Sequence, residues 1–256
     1  MQIYVCVKHV PDSAANIHMI DDRNIDDSVP FLMNPYDEHA VTEAAAMKKQ
    51  IPDSEIIAVC LGKKDAESTL RSALAMGADR GVLVETDDMC DSMTTARVLH
   101  AAIIRDGGAD IILTGKESID SEGMQTQFRI GALFDFPVVT NAASLEITKE
   151  KARVSCELAG GRTRTYELTL PCVIGAGRGL NTPIYPTFPD VVKSRKKPIE
   201  TVARSQLDVS DAPGSAKIVS MAPLVQKRNP QKITGTPAEQ AAEIIRILRQ
   251  EAKVLS

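Results

Sequence analysis

Tryptophan is absent from this 256-residue chain, and the other aromatics are scarce, with five Phe and four Tyr. Little material is left for a stacking platform that grips bare bases or a flavin ring unaided. A planar ligand would need backbone, aliphatic groups or a second protein to help hold it. Excess positive charge is also absent: the formal net charge is −4, which argues against nucleic acid as a partner. No apolar run approaches the ~20 residues that cross a bilayer, so no transmembrane segment is expected. The opening residues MQIYVCVKHV read as a strand and lack the basic, apolar and cleavable order of a signal peptide, so the expected location is cytoplasmic. Cys6, Cys60, Cys90, Cys156 and Cys172 are odd in number, widely spaced and never in a CxxC pair. That indicates neither a disulfide framework, a zinc site nor a redox pair, and no metal site is expected. Cys6 and Cys60, set in YVCV and IAVCL, read as small core residues.

The remainder is globular in composition, 43% hydrophobic and 25% charged. Strand and helix patterns alternate over the first half. Ile3–Val10 is a β-branched run. Asn34-Pro35-Tyr36-Asp37-Glu38 opens a helix, with Asn34 as N-cap, Pro35 at the first position and acids at the positive end. Ala40, Val41, Ala44 and Met47 form its apolar face. Strands are expected at Glu55–Leu61, Gly81–Glu85, Asp110–Thr114 and from Pro137. Helices are expected at Asp65–Met76, from Asp91 to Arg105, and at Met124–Phe134. Strands separated by helices imply a doubly wound, mostly parallel α/β sheet. Leu145–Ile147, Arg153–Leu158 and Thr163–Leu170 alternate instead as an added antiparallel hairpin region, turning at Gly160-Gly161. From Gly175 the glycines and prolines predict an irregular arm, which ends in a helix over Pro237–Leu255 capped by Thr236. A long arm of this kind points to a partner chain.

In open parallel sheets ligands lie beyond the carboxyl ends of the strands, where strand order reverses. Four segments should meet there: Cys6–Asp12, including Val7 and Lys8; the entry to Asn34-Pro35-Tyr36-Asp37; Leu61-Gly62; and Gly115–Thr126. The last reads Gly115, Lys116, Glu117, Ser118, Ile119, Asp120, then Ser121, Glu122, Gly123, Met124, Gln125, Thr126. A strand, a Gly, a polar loop and a helix start form either an anion cradle or an ordinary turn. It is not a P-loop, because the spaced glycine before Gly115-Lys116 is missing. Asp120 and Glu122 suit helix-start acids better than a metal or acid–base couple. Gly175-Ala176-Gly177-Arg178-Gly179 is rejected as a dinucleotide fingerprint, since Pro183 and Pro186 forbid a following helix. No side chain is expected to be catalytic. Lys193, Arg195, Lys196 and Lys197 form a basic cluster that reads as a solvated face or a dock for an acidic protein surface.

Several stretches in order resemble the β subunit of electron transfer flavoproteins, FixA-like proteins included. They are Val5–Asp12, Asn34–Val41, Leu74–Arg80, Thr114-Gly115-Lys116 with Ile119-Asp120, Leu180–Pro183, Thr187-Phe188-Pro189 and Lys196–Ile199. The resemblance implies a fold like the adenine-nucleotide α-hydrolase group without hydrolase activity. It implies a nucleotide-binding domain over residues 1–200, and a C-terminal arm over 201–256 that packs on an α subunit carrying FAD. By position, FAD or AMP would bind at Cys6, Asn34–Asp37, Leu61 and Gly115–Thr126. Phe188 would be the apolar anchor that docks acyl-CoA dehydrogenase-type or other flavin dehydrogenases, beside Lys193 and Lys196. Ser13 resembles the electron-bifurcating type, which holds FAD here, and FAD is slightly favoured; Lys193–Ile199 resembles the simple carrier, which holds AMP. Gln127 and Phe128 depart from the family pattern, and Gly123 would restore backbone freedom nearby. Competing readings are a nucleotide-binding regulatory or stress-type module without a redox role, and an ATP-using ligase or hydrolase of the same fold group.

Overall fold

Alternation inside short β-branched runs sends successive side chains to opposite faces of a sheet. In β1 (Gln2–Cys6), Ile3 and Val5 enter one buried cluster while Tyr4 and Cys6 enter another. The computed structural model describes residues 1–148, 150–209, 216, 218–224 and 230–255. Parts of the region expected as an irregular arm, 210–215, 217 and 225–229, lie outside the described residues, as do 149 and 256. The chain forms two compact units, Met1–Val219 and Ser220–Ser256.

The first unit continues through β2 (His9–Pro11), β3 (Phe31–Met33), α1 (Pro35–Gln50), β4 (Glu55–Gly62), α2 (Glu67–Met76), β5 (Arg80–Glu85) and α3 (Ser92–Arg105). Then come β6 (Ile111–Gly115), α4 (Thr126–Phe134), β7 (Val138–Ile147), β8 (Lys151–Leu158), β9 (Arg162–Thr169), β10 (Cys172–Ala176), α5 (Phe188–Ser194) and β11 (Ile199–Ala203). The nine-stranded sheet runs β11-β5-β4-β1-β6-β10-β7-β8-β9, and β2-β3 form a small antiparallel sheet. All pairings are parallel as far as β7, which then turns antiparallel to β8 and β8 to β9. Helices α1 and α2 cover one face with Ala40, Val41, Ala44, Leu70 and Leu74. The other face packs on α3, through Ala96, Val98, Leu99 and Ile103, and on α4 through Ile130. The doubly wound mostly parallel sheet with a hairpin addition is therefore present. From β1 the chain moves outward through β4 and β5, then returns to β6 on the other side of β1. Strand order reverses between β1 and β6, which puts the ligand crevice of such sheets there.

Several boundaries differ from the expected ones. The run Ile3–Val10 is broken after Cys6, and His9–Pro11 leaves the main sheet to pair with Phe31–Met33. The expected strands at Pro137 and Leu145 are one strand, β7, which changes partner near Asn141, a residue with φ 55°. The irregular stretch after Gly175 holds two elements that the glycines and prolines concealed. One is the short helix α5, and the other is β11, which extends the sheet beside β5. Asp91 does cap α3, accepting the Thr94 N–H at 2.8 Å.

In the second unit Thr236 caps α6 (Pro237–Arg246) in a capping box with Glu239, as its sequence requires. The helix stops being α-helical at Arg246, short of Leu255, and a π-helical stretch spans Ile247–Glu251.

Asp79 locks the start of β4 to the end of α1. Its Oδ2 accepts the buried Ile56 N–H at 2.8 Å and its Oδ1 pairs with Lys48 Nζ at 2.5 Å. Asp79→Ala strands that N–H, so urea unfolding should show about 1–3 kcal/mol lower stability with an unchanged m-value.

Candidate functional site

Three of the four segments expected to meet do so: the chain just past β1, the first turn of α1 and the loop that begins at the end of β6. Asp37, 5% exposed, accepts the Lys8 N–H on Oδ2 at 2.7 Å and the Gly115 N–H on Oδ1 at 2.9 Å. One carboxylate thus ties both strands at the reversal to a helix N-terminus, where negative charge is favoured. Burial pushes the Asp37 carboxyl up to about 7, against the pull of the Lys8 and Gly115 N–H groups and of Asn34. Gly115 is required for the approach: a Cβ there would sit 2.4 Å from Asp37 Oδ1 and 2.6 Å from Tyr36 Cβ.

Asn34 occupies the N-cap position of α1 but its side chain makes no cap hydrogen bond. It reaches across to the loop after β6 instead. Its Nδ2 donates to Glu117 O at 2.9 Å and its Oδ1 accepts the Ile119 N–H at 3.1 Å. Its own N–H donates to Lys8 O at 2.9 Å. The expected cap is lost because two backbone groups of the β6 loop compete for the same amide.

Lys8 extends over this loop. Its Nζ lies 2.6 Å from Asp120 Oδ2 and 3.3 Å from Ser118 Oγ, which contacts Ser121 Oγ at 2.8 Å. Burial works to raise the Asp120 carboxyl, yet the Lys8 ammonium holds it below its ordinary value. Ser121, Glu122, Gly123, Met124 and Gln125 are exposed, and α4 begins only at Thr126. The left-handed conformation in this loop falls on Glu122 (φ 48°) and Met124 (φ 51°) and not on Gly123. Gln127 is 2% exposed and donates to Lys116 O at 2.8 Å and to Thr140 Oγ1 at 3.3 Å. It braces the start of the loop against β7, while Phe128 is exposed. Thr114 Oγ1, at the end of β6, is buried and has no hydrogen-bond partner among the described residues.

Of the remaining expected residues, some belong to the core and others flank this cluster. Cys6 is buried in the core on the α3 face, and Leu61 packs against the same core. Burial pushes the Cys6 thiol well up. Val7 continues the β1 line by donating its N–H to Val59 O at 2.9 Å. Asp12 accepts the Ala14 N–H at 2.9 Å, opening the loop between β2 and β3. Pro35 starts α1, and the Tyr36 ring has Lys116 Nζ and Arg178 Cζ each 5.1 Å from its centroid. Arg178 was missed in the sequence. Its Gly-rich context after a strand was a usable signal, but only the neighbouring of β10 and β6 brings it beside Tyr36.

Phe188 is 81% exposed at the first position of α5, near Tyr185 at 87%. Lys193, Arg195 and Lys196 are exposed. Lys197 is not part of that solvated face: its Nζ donates inward to Leu74 O at 2.9 Å and Ala78 O at 2.6 Å. Orphan carbonyls at the end of α2 draw it in. Among the described residues no helix is long and apolar enough to cross a membrane, and no cluster of potential metal ligands occurs.

The family model for the electron transfer flavoprotein domain matches residues 23–207. Over 260 residues the chain is 34% identical to the electron transfer flavoprotein subunit beta of Bacillus subtilis, covering 100% of both chains. The corresponding Sus scrofa subunit is also 34% identical, with 99% of each chain covered. That of Syntrophomonas wolfei is 33% identical, over 99% of this chain and 98% of its own.

Asp37→Asn replaces one acceptor oxygen with a donor, so either the Lys8 or the Gly115 N–H loses its partner. A loss of about 1–3 kcal/mol is expected. A carboxyl at about 7 when folded and roughly 3.9 when unfolded binds its proton more tightly in the native state. Its contribution is therefore complete below about pH 4 and falls away as pH climbs to about 7. Denaturation of wild type and variant should show a larger deficit at pH 5 than at pH 8. A deficit that grows with pH would contradict the raised carboxyl.

Proposed function

The chain belongs to the electron transfer flavoprotein β-subunit family, and from that membership we propose that it is the β subunit of a heterodimeric electron transfer flavoprotein. In this reading it binds an adenine nucleotide and docks flavin dehydrogenases, so that electrons reach the FAD of an α subunit. The observation that carries the nucleotide half is the stapled junction of Lys8, Asn34-Asp37 and the 116–125 loop at the reversal of strand order.

The donors suit a phosphate-bearing ligand. Lys8 supplies a cation, and the exposed residues 121–125 lead into the N-terminus of α4. Thr114 Oγ1 is an unpaired hydroxyl at the same strand end. These groups would hold the adenosine and phosphate end that FAD and AMP share. Ser13, small and exposed on the loop after β2, favours FAD, and with it the electron-bifurcating type. A bound flavin would supply the electron-accepting chemistry, and the side chains here would bind and orient it. For docking, an exposed Phe188 with Lys193, Arg195 and Lys196 around it suits a small, charge-steered and quickly released contact with an acyl-CoA dehydrogenase-type partner.

Acid extraction of the chain purified with its α subunit tests this reading. Two FAD per heterodimer are expected, whereas one FAD with one AMP would replace FAD by AMP in this subunit. A colourless homodimer without nucleotide would overturn the proposal. Lys8→Gln should weaken nucleotide retention by about tenfold or more, as loss of a charge-assisted hydrogen bond does, with an unchanged circular dichroism spectrum. Retention equal to that of wild type would remove Lys8 from the site.

A further inference from the structure

Helix α5 has seven residues, too few to be stable by itself. Its N-terminal end is organised locally, with Thr187 Oγ1 donating to Asp190 Oδ2 at 2.6 Å. A groove of about 450 Å³ lies between α2, β3, residues 183–186 and the C-terminal half of α5, and Arg71, Val191, Ser194 and Arg195 belong to its lining.

At the other end of α5 the two helices exchange hydrogen bonds. Arg71 of α2 donates through one guanidinium nitrogen to Ser194 O at 3.0 Å and Lys197 O at 2.7 Å. Lys197, just past α5, donates back to Leu74 O and Ala78 O at the end of α2. Each helix end thus has carbonyls satisfied by a cation from the other, the arrangement that the negative end of a helix favours. Glu67 holds the Arg71 fork, accepting from Nε at 3.2 Å and from the second terminal nitrogen at 3.0 Å. Ser194, 2% exposed, sits inside the joint and donates to Val191 O at 2.8 Å. Beyond it, Pro198 O accepts the Gly81 N–H at 2.9 Å and the chain enters β11. The clasp is thereby anchored to the sheet edge.

We infer that Arg71 and Lys197 are positioning residues of the docking surface: they fix the pose in which α5 presents Phe188, and so govern engagement of the dehydrogenase without touching it. The inference rests on the docking role proposed for Phe188. It separates Lys197 from its neighbours in the basic cluster, since Lys193, Arg195 and Lys196 face solvent and Lys197 faces α2.

The test uses the chain with its α subunit and, as electron donor, a purified acyl-CoA dehydrogenase reduced by its acyl-CoA. In Lys197→Met, amide hydrogen exchange over residues 190–197 should accelerate by about tenfold or more, the signature of a local opening made easier. Exchange in β1, β4 and β6 and the flavin content should stay as in wild type. KM for the dehydrogenase should rise several-fold with kcat held, and its salt dependence should not change. Lys197→Arg should recover both readouts in part. Arg71→Lys, which keeps the charge and loses the fork, should behave like Lys197→Met. Unchanged exchange over 190–197 would overturn the clasp. Faster exchange with unchanged KM, where Phe188→Ala does raise KM, would overturn the link to docking. If Phe188→Ala itself leaves KM unchanged, the docking role falls, and this inference falls with it.

Discussion

The carboxylate of Asp37 is the point on which the site depends. Two strands lie side by side at the reversal of strand order, and each ends with a backbone N–H that the ladder no longer satisfies. A buried unpaired N–H is costly, and so is a buried carboxyl without donors. Placed together at the positive end of α1, they resolve each other's penalty. The conditions are strict: a glycine at 115, a helix start within contact of both strands, and an asparagine at 34 free to turn away from its own helix. Once they are met, the β6 loop is anchored at its base by Asn34 and Gln127, while its outer part, 121–125, stays exposed.

That division suits a chain poor in aromatics. Backbone anchored at the loop base and the Lys8 ammonium, held over the loop, would suit the phosphate and sugar end of the proposed nucleotide. They are not means of clamping a broad ring. In the proposed heterodimer the ring, where present, would be left largely to the subunit interface, and this subunit would contribute position more than chemistry. Asp120 then acts as the counter-charge that holds Lys8 over the loop.

A second region is governed by the same rule that orphan backbone groups find partners. At the far edge of the sheet, carbonyls at two helix ends are met by Arg71 and Lys197. A basic cluster that looks uniform in sequence is thereby split in two. Most of it faces solvent, and one lysine turns inward to the end of α2. The exposed Phe188 lies at the other end of the same short helix.

The alternation of strand and helix, the two apolar faces, the hairpin turn at Gly160-Gly161 and the caps at Asp91 and Thr236 were all legible in the sequence. Each depends on neighbours within a few residues: side-chain period, a capping hydroxyl or carboxylate, a glycine at positive φ. The convergence of Lys8, Asn34-Asp37 and Gly115–Ser121 was legible as well, because parallel strands joined by helices bring their carboxyl ends together. What the tertiary structure alone decided was the partner of each polar group. Asn34 abandons its cap for Glu117 and Ile119, Arg178 arrives beside Tyr36 from a rejected motif, Gln127 becomes a brace, and Lys197 turns inward. Hydrogen-bond donors and acceptors choose among whatever the fold brings within 3 Å or so. Those candidates come from other elements of the fold, beyond the span of a single strand or helix, so no local pattern contains the choice.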